Sequence, residues 1–493
     1  MPRAGVRRRR KERPPLSIPL DPPDAPVAGA GLDILEENSA TRSRLLRGGA
    51  LFGLSQFLGM ALGFGSGMVL VRVADKPAVA SYMLLQQAIV AVGLVMQLGL
   101  GPAALRFVPI CRGLGGERAT ALLRRRLFVI QLVLWAAVVP VLAAIWPSIA
   151  SKLDAPELAK ATGFLVAAAM LSSFGNLVDS YLRSFRLYTL SAPLTHLLPR
   201  ALILGAFLAL LLVGQRQEPW EILASVYLGA MLLNVLGYAL ALTATTVGES
   251  SEPRAAHPPP AIREILGTST AMGLRSAASV LFVSSSLWVL SWARPHEDVA
   301  VYGVAATLLQ VMAAIPSIAN FVIPQEFAVL HADGRSAEME RLARTAATLV
   351  AILSAVCLAG LLLLGRPLVR LAYGESYMGA WGILLVLAVG SFWDCASGGA
   401  GYVLQMAGYH VRLLLLTVGG ALLNVALSLA LAPLWGGYGI ALSTTVTLIA
   451  LNVAMVKSAR SLLGVRTFVY TRPSDWRRAL GLVRESASWW RPR

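Results

Sequence analysis

Apolar residues recur between residues 45 and 458 in stretches long enough to cross a bilayer. A hydrocarbon core about 30 Å thick needs roughly 20 mostly apolar residues of helix, each rising about 1.5 Å. The pattern predicts twelve such spans. Six fall at about residues 48–71, 79–105, 127–149, 161–182, 189–213 and 220–247. Six more fall at 264–292, 299–324, 345–365, 379–405, 412–434 and 436–458. The polar stretches divide the chain further. Residues 1–44 read as a basic, Pro-rich, disordered cytoplasmic tail. Residues 45–247 form a first six-helix bundle, and 248–263, with Pro258-Pro259-Pro260, a stiff linker. Residues 264–458 form a second bundle and 459–493 a basic tail. In that tail Trp476, Trp489 and Trp490 interleave with Arg477, Arg478 and Arg484, as in a helix lying on the cytoplasmic leaflet. The expected fold is an all-α polytopic membrane protein.

Composition agrees: 56% of residues are hydrophobic and only 14% charged, too few charges for an ordinary soluble domain. The formal net charge of +17 raises the question of a nucleic-acid partner. Its distribution answers that question. Of the 43 Lys and Arg residues, 33 fall in one set of alternate connections, which includes both tails, and 8 in the other. Cytoplasmic loops carry such an excess, so both termini are expected in the cytoplasm. The run Arg7–Lys11 has no interleaved aromatics, so anionic lipid is its expected partner and nucleic acid is not.

The two sets of spans also resemble each other. Val79-Ala80-x-Tyr82 matches Val299-Ala300-x-Tyr302 at a shift of 220 residues, and Leu182–Gly214 matches Leu404–Gly436 at 222. Each half starts on the same side, so the repeat is parallel, with its pseudo-twofold axis along the membrane normal. Transporters of that build bind their cargo between the halves.

Several chemistries lack their residues. None of the five lysines follows a glycine, so there is no P-loop. His296-Glu297 begins a zinc-like motif, but Ala300 stands where the second His belongs. Cys111, Cys357 and Cys395 have no spacing pattern. No cofactor or metal is expected.

Ionisable groups inside spans are costly and point to function. Arg200 is the leading candidate: a helix starting after it would have only 13 residues, too few to cross. His196 lies one turn earlier on the same face. Arg275 sits in the first span of the second half, and Asp394, beside Trp393, is well inside its span. Asp179 and Arg183, four apart, suit a local salt bridge, with a pathway role for Asp179 as the other reading. Gln56, Gln86, Gln87, Gln97, Asn176, Asn320 and Asn424 suit interhelical hydrogen bonds or a glycan path.

A set of diffuse motifs completes the picture. Leu46-Arg47-Gly48-Gly49 leads into the first span, and Val79–Arg106 contains Leu98-Gly99-Leu100. Leu182-Arg183-Ser184-Phe185-Arg186 precedes the fifth span. Ile315-Pro316-Ser317-Ile318 and Val322-Ile323-Pro324 precede the amphipathic stretch Phe327–Arg344. Arg412–Val456 carries Leu423-Asn424, Ala432-Pro433, Gly436-Gly437-Tyr438-Gly439 and Ala441-Leu442. In these residues the stretch 45–458 resembles the polysaccharide (O-antigen type) flippases of the multidrug/oligosaccharidyl-lipid/polysaccharide exporter superfamily. The resemblance implies a V-shaped pair of six-helix bundles around a central cavity, monomeric, in the inner membrane. It implies export of a polyprenyl-pyrophosphate-linked oligosaccharide by alternating access, coupled to protons or sodium. Arg200 and Arg275, one per half, would then meet on the pyrophosphate, with Asp394, His196 or Asp179 in coupling or charge balance. A multidrug exporter of the same superfamily is the alternative. A membrane enzyme of polysaccharide assembly would need a large outer loop, which the sequence lacks.

Overall fold

The computed structural model describes residues 31–152, 156–185, 187–214, 219–246 and 260–470. The tail up to residue 30, the linker residues 248–259 and the Arg/Trp-rich stretch from residue 471 lie outside them. The described residues are mostly helical, without a strand. Residues up to Arg47 and those from Gly48 onward are separate compact units, and the account below concerns the second.

Helix α1 (Gly31–Val73) starts inside the stretch expected to be tail. Residues 31–47 are rich in Leu, Glu and Arg, which favour helix without adding to hydropathy. Helix α2 (Lys76–Gln97) is capped by Asp75, whose carboxylate accepts from the Ala78 N–H at 2.9 Å. It ends at Leu98 and Gly99, both at positive φ. Helix α3 (Leu100–Lys152) runs straight through residues 106–126, where hydropathy suggested a loop, because that arginine-rich stretch is polar but helix-forming. After the short α4 (Pro156–Lys160) come α5 (Thr162–Ser184), α6 (Tyr188–Ala192), a π turn (Pro193–Leu197), α7 (Leu198–Leu212) and α8 (Trp220–Thr246). The second half comprises α9 (Ile262–Ala293), α10 (His296–Ala332), α11 (Ser336–Tyr373), α12 (Gly379–Ala396), α13 (Ala400–Met406) and α14 (His410–Leu463).

Eleven helical segments among the described residues are long and apolar enough to cross a membrane. The last of them, α14, is broken at Gly436 (φ 55°, ψ −132°) into two arms, which gives the twelve spans expected. Leu212 (85% exposed) and Leu363 (78%) are typical of the outer surface. Such a surface suits contact with lipid. The repeat is visible in the helices: α2 starts at Lys76 and α10 at His296, 220 residues apart. Both begin with a buried Val-Ala-x-Tyr.

The spans alternate between a near face, where the apolar part of α1 begins, and a far face. Toward the far face one apolar core is shared by both halves, through Val79, Tyr82, Trp146, Val299, Tyr302 and Tyr373. Toward the near face the core divides. One cluster surrounds Leu100, Phe107, Leu123 and Tyr181; another surrounds Phe327, Met339, Leu404 and Val465. Polar contacts also join the halves at the far face. Arg72 donates to the Leu371 carbonyl at 3.2 Å. Lys76 lies 4.0 Å from Glu297 and over the ring of Tyr377. Burial, with Asp75 adding, pushes the Tyr377 hydroxyl up to about 12, so Lys76 meets a neutral ring. At the near face the start of α9 reaches across. Gly99 and Gly273 touch so closely that a Cβ on Gly273 would lie 2.8 Å from the Leu98 carbonyl carbon.

Candidate functional site

Among the described residues, two cavities hold the sequence-predicted residues Arg200, Arg275 and Asp394. The central one, about 390 Å³, is walled by α1, α2, α7 and α8 of the first half and by α9 and α10 of the second. Its polar lining includes Tyr82, Gln86, Gln87, Tyr227, Thr307 and Gln310. Gln86 donates to the Tyr82 hydroxyl at 2.9 Å, and Ser284 donates across the halves to Gln87 Oε1 at 3.0 Å. Gln87 is therefore interhelical glue as well as lining.

Arg200 is the one side chain among the lining residues that carries a formal charge. Glycines on α1 make room for it: a Cβ at Gly59 would sit 2.9 Å from Arg200 Nη1, and one at Gly63 would sit 3.7 Å from its Cδ. Nη1 is buried without a hydrogen-bond partner. Among the described residues no carboxylate lies within salt-bridge distance of Arg200. A buried guanidinium N–H left unpaired costs free energy, so this arrangement favours an anion that completes it.

His196 does not line this cavity. Its ring packs edge-on against Phe52, centroids 5.0 Å apart, and its Nε2 is buried without a partner. Asp179 is farther away, in the interior of the first half. Its Oδ1 accepts from Ser191 (2.6 Å) and Thr195 (2.7 Å), and its Oδ2 pairs with Arg183. The Thr195 hydroxyl also lies 2.9 Å from that of Tyr238. The Asp179–Arg183 salt bridge expected from the spacing is present.

The second cavity, about 330 Å³, lies inside the second half. Arg275 and Asp394 both line it, with Tyr402, Gln405, Thr417 and Asn452. Arg275 donates to Gln405 Oε1 at 2.7 Å. Asn452 donates to Asp394 Oδ1 at 2.9 Å and accepts from Ser397 at 2.9 Å. An extended segment, Val465–Tyr470, crosses the near-face end of this half. Its N–H groups donate to Glu340 (3.0 Å, from Arg466), the Ala396 carbonyl (3.0 Å, from Val469) and Thr348 (3.3 Å, from Tyr470). Phe468 packs on Trp393, next to Asp394.

The structure thus separates two residues expected to meet. Arg200 and Arg275 line different cavities with no lining residue in common. The reason is local: Arg275 is taken up by Gln405 of its own half. Sequence reading passed over Gln405, Asn452 and Gln310, although each is a polar residue inside a span and so carried the usual signal. Among the described residues no cluster of three or more His, Cys, Asp or Glu could hold a metal.

The family described as "Polysaccharide biosynthesis protein" matches residues 116–381, more than half of the chain. No curated protein matches at a significant level. Among solved structures, an inward-facing MATE-family multidrug resistance transporter of the MOP superfamily is similar over 82% of this chain and 94% of its own, at 14% identity and TM-score 0.69. The lipid II flippase MurJ in an inward closed conformation is similar over 83% and 87%, at 12% identity and TM-score 0.63. A MOP-superfamily transporter from Pyrococcus furiosus, for which a pocket of reverse polarity suggests a different function, is similar over 85% and 95%, at 16% identity and TM-score 0.63. These likenesses concern the fold. With its twelve spans, the chain belongs to the family described as "Polysaccharide biosynthesis protein" and is a multi-pass membrane protein whose fold is that of MOP-superfamily transporters.

Proposed function

We propose that the protein is a flippase for a polyprenyl-pyrophosphate-linked oligosaccharide, exporting it across the inner membrane for surface polysaccharide synthesis. One observation carries this reading. The central cavity has a single formal charge, and it is the positive, incompletely bonded guanidinium of Arg200. A pyrophosphate supplies acceptors for this guanidinium, and bidentate phosphate contacts suit Arg. Gln86, Gln87, Gln310 and Thr307 offer groups that can hydrogen-bond sugar hydroxyls. A cation exporter would need acidic lining, and the central cavity contains none among its described residues, which disfavours the multidrug alternative.

The near face is the cytoplasm in this reading, as the basic excess requires. The halves then meet at the outer surface, and the cargo enters from the inner leaflet. Arg275 and Asp394 form a charge-balanced pair of groups in the second cavity. Proton or sodium binding at Asp394 changes that balance and couples the ion gradient to rocking of the second half. The experiment is complementation of a strain lacking the gene, scored by surface polysaccharide. Arg200→Ala abolishes it, and Arg200→Lys restores only part. Normal polysaccharide with Arg200→Ala overturns the site. Loss of cationic-drug resistance with normal polysaccharide favours the alternative.

A further inference from the structure

The fifth span is interrupted by the π turn Pro193–Leu197, and the turn separates two functionally different parts of one helix. Before the turn Ser191, and within it Thr195, hold Asp179, while after it Arg200 enters the central cavity. A π turn inserts one extra residue, which turns everything after it by about 100° around the helix axis relative to what precedes it. Were residues 188–212 a continuous α-helix on the same footing, Arg200 would be rotated by that amount out of the cavity. We infer that Asp179, through Thr195, holds the π turn and so sets the direction of Arg200; Asp179 is a positioning residue and not part of the ion pathway.

Contacts around the turn support this. Thr195 stands in the middle of the turn, and its hydroxyl donates to Asp179 Oδ1, sits 2.9 Å from the Ser191 carbonyl and 2.9 Å from the Tyr238 hydroxyl. The Ser191 carbonyl is one turn back on the same helix, while Asp179 and Tyr238 lie on α5 and α8, so the turn is pinned by two neighbouring helices. Arg183 neutralises Asp179 from the same helix, which leaves the carboxylate fully committed. The turn's next residue, His196, presses its backbone carbonyl against Gly59 of α1, where any Cβ would clash. The clamp therefore also fixes how closely α1 approaches Arg200.

This inference rests on Arg200 as the cargo contact, but its test does not. In a variant with Cys111, Cys357 and Cys395 replaced by Ala, Arg200→Cys is labelled with a small water-soluble methanethiosulfonate. The reagent should reach position 200 in the cavity. Thr195→Val and Asp179→Ala, each added separately, should slow labelling by an order of magnitude, while Thr195→Ser keeps it fast. Should Asp179→Ala fail to fold, Thr195→Val and Tyr238→Phe still decide the matter. Unchanged labelling in folded Thr195→Val and Tyr238→Phe overturns the positioning role. In parallel, farnesyl pyrophosphate binding is measured by native mass spectrometry with Arg200 intact. Weaker binding in Thr195→Val together with slowed labelling supports the inference. Slowed labelling with binding unaffected even by Arg200→Ala leaves the positioning role in place and overturns the pyrophosphate reading alone.

Discussion

Replacing Arg200 with Met should make the protein more stable and less able to bind its cargo. Met fills much of the same volume and keeps the aliphatic stem beside Gly63. It removes a guanidinium whose Nη1 is buried with no partner and which has no carboxylate nearby among the described residues. An unsatisfied buried donor costs about 1–3 kcal/mol, and that is the expected gain in stability. The expected loss in binding is two charge-assisted hydrogen bonds, about 3–6 kcal/mol together, or roughly 10²- to 10⁴-fold in affinity for a pyrophosphate lipid. Thermal unfolding in nanodiscs reads the first quantity and titration with a polyprenyl pyrophosphate the second. An Arg held for structure alone behaves oppositely: Arg200→Met would unfold earlier and bind as before. That pair of results would refute the reasoning.

Other expectations follow from particular contacts. Arg183→Gln leaves the buried Asp179 carboxylate short of its cation, and stability measured by denaturant or heat should fall by about 3 kcal/mol. Gly99→Ala should impair folding, since Gly99 has φ +72° and touches Ser269 and Gly273 of α9. Gly303→Ala meets only the flexible Met83 and should be tolerated; equal effects on size-exclusion profiles would contradict the distinction. Phe468→Ala should cost roughly 1–3 kcal/mol by loosening the segment that crosses the second half. Membrane-impermeant thiol reagents applied to intact cells should label Ser376→Cys at the far face and leave Asp333→Cys at the near face untouched. The reverse pattern would invert the orientation.

The spans were legible because hydropathy over 20 residues is a strong signal in lipid, where the backbone must bond within its own helix. The α3 extension through residues 106–126 was not, because six arginines lower hydropathy without weakening the helix. Arg200 was legible for the same reason as the spans: a charge inside an apolar stretch too short to do without it. Its separation from Arg275 was not, since the repeat suggests equivalence while a single Gln405 decides where Arg275 points. Nor was the π turn, although Pro193 and Pro199 bracket it. Proline marks where a helix is disturbed but leaves open which backbone register results.

The break at Gly436 has a consequence for how the protein is made. The two arms of α14 are joined with no intervening loop, and the first ends on carbonyls of Ala432, Pro433 and Leu434 that accept from Arg294 at the far end of α9. So short a link leaves no slack for the arms to enter the bilayer one at a time, and they must be inserted as a hairpin. The partner for its tip, Arg294, is synthesised well over a hundred residues earlier and waits exposed until the hairpin arrives. Assembly of the second half is thus a late event, completed by the last spans, and its faults should surface as membrane-inserted chains that are sensitive to protease at the far face around Arg294.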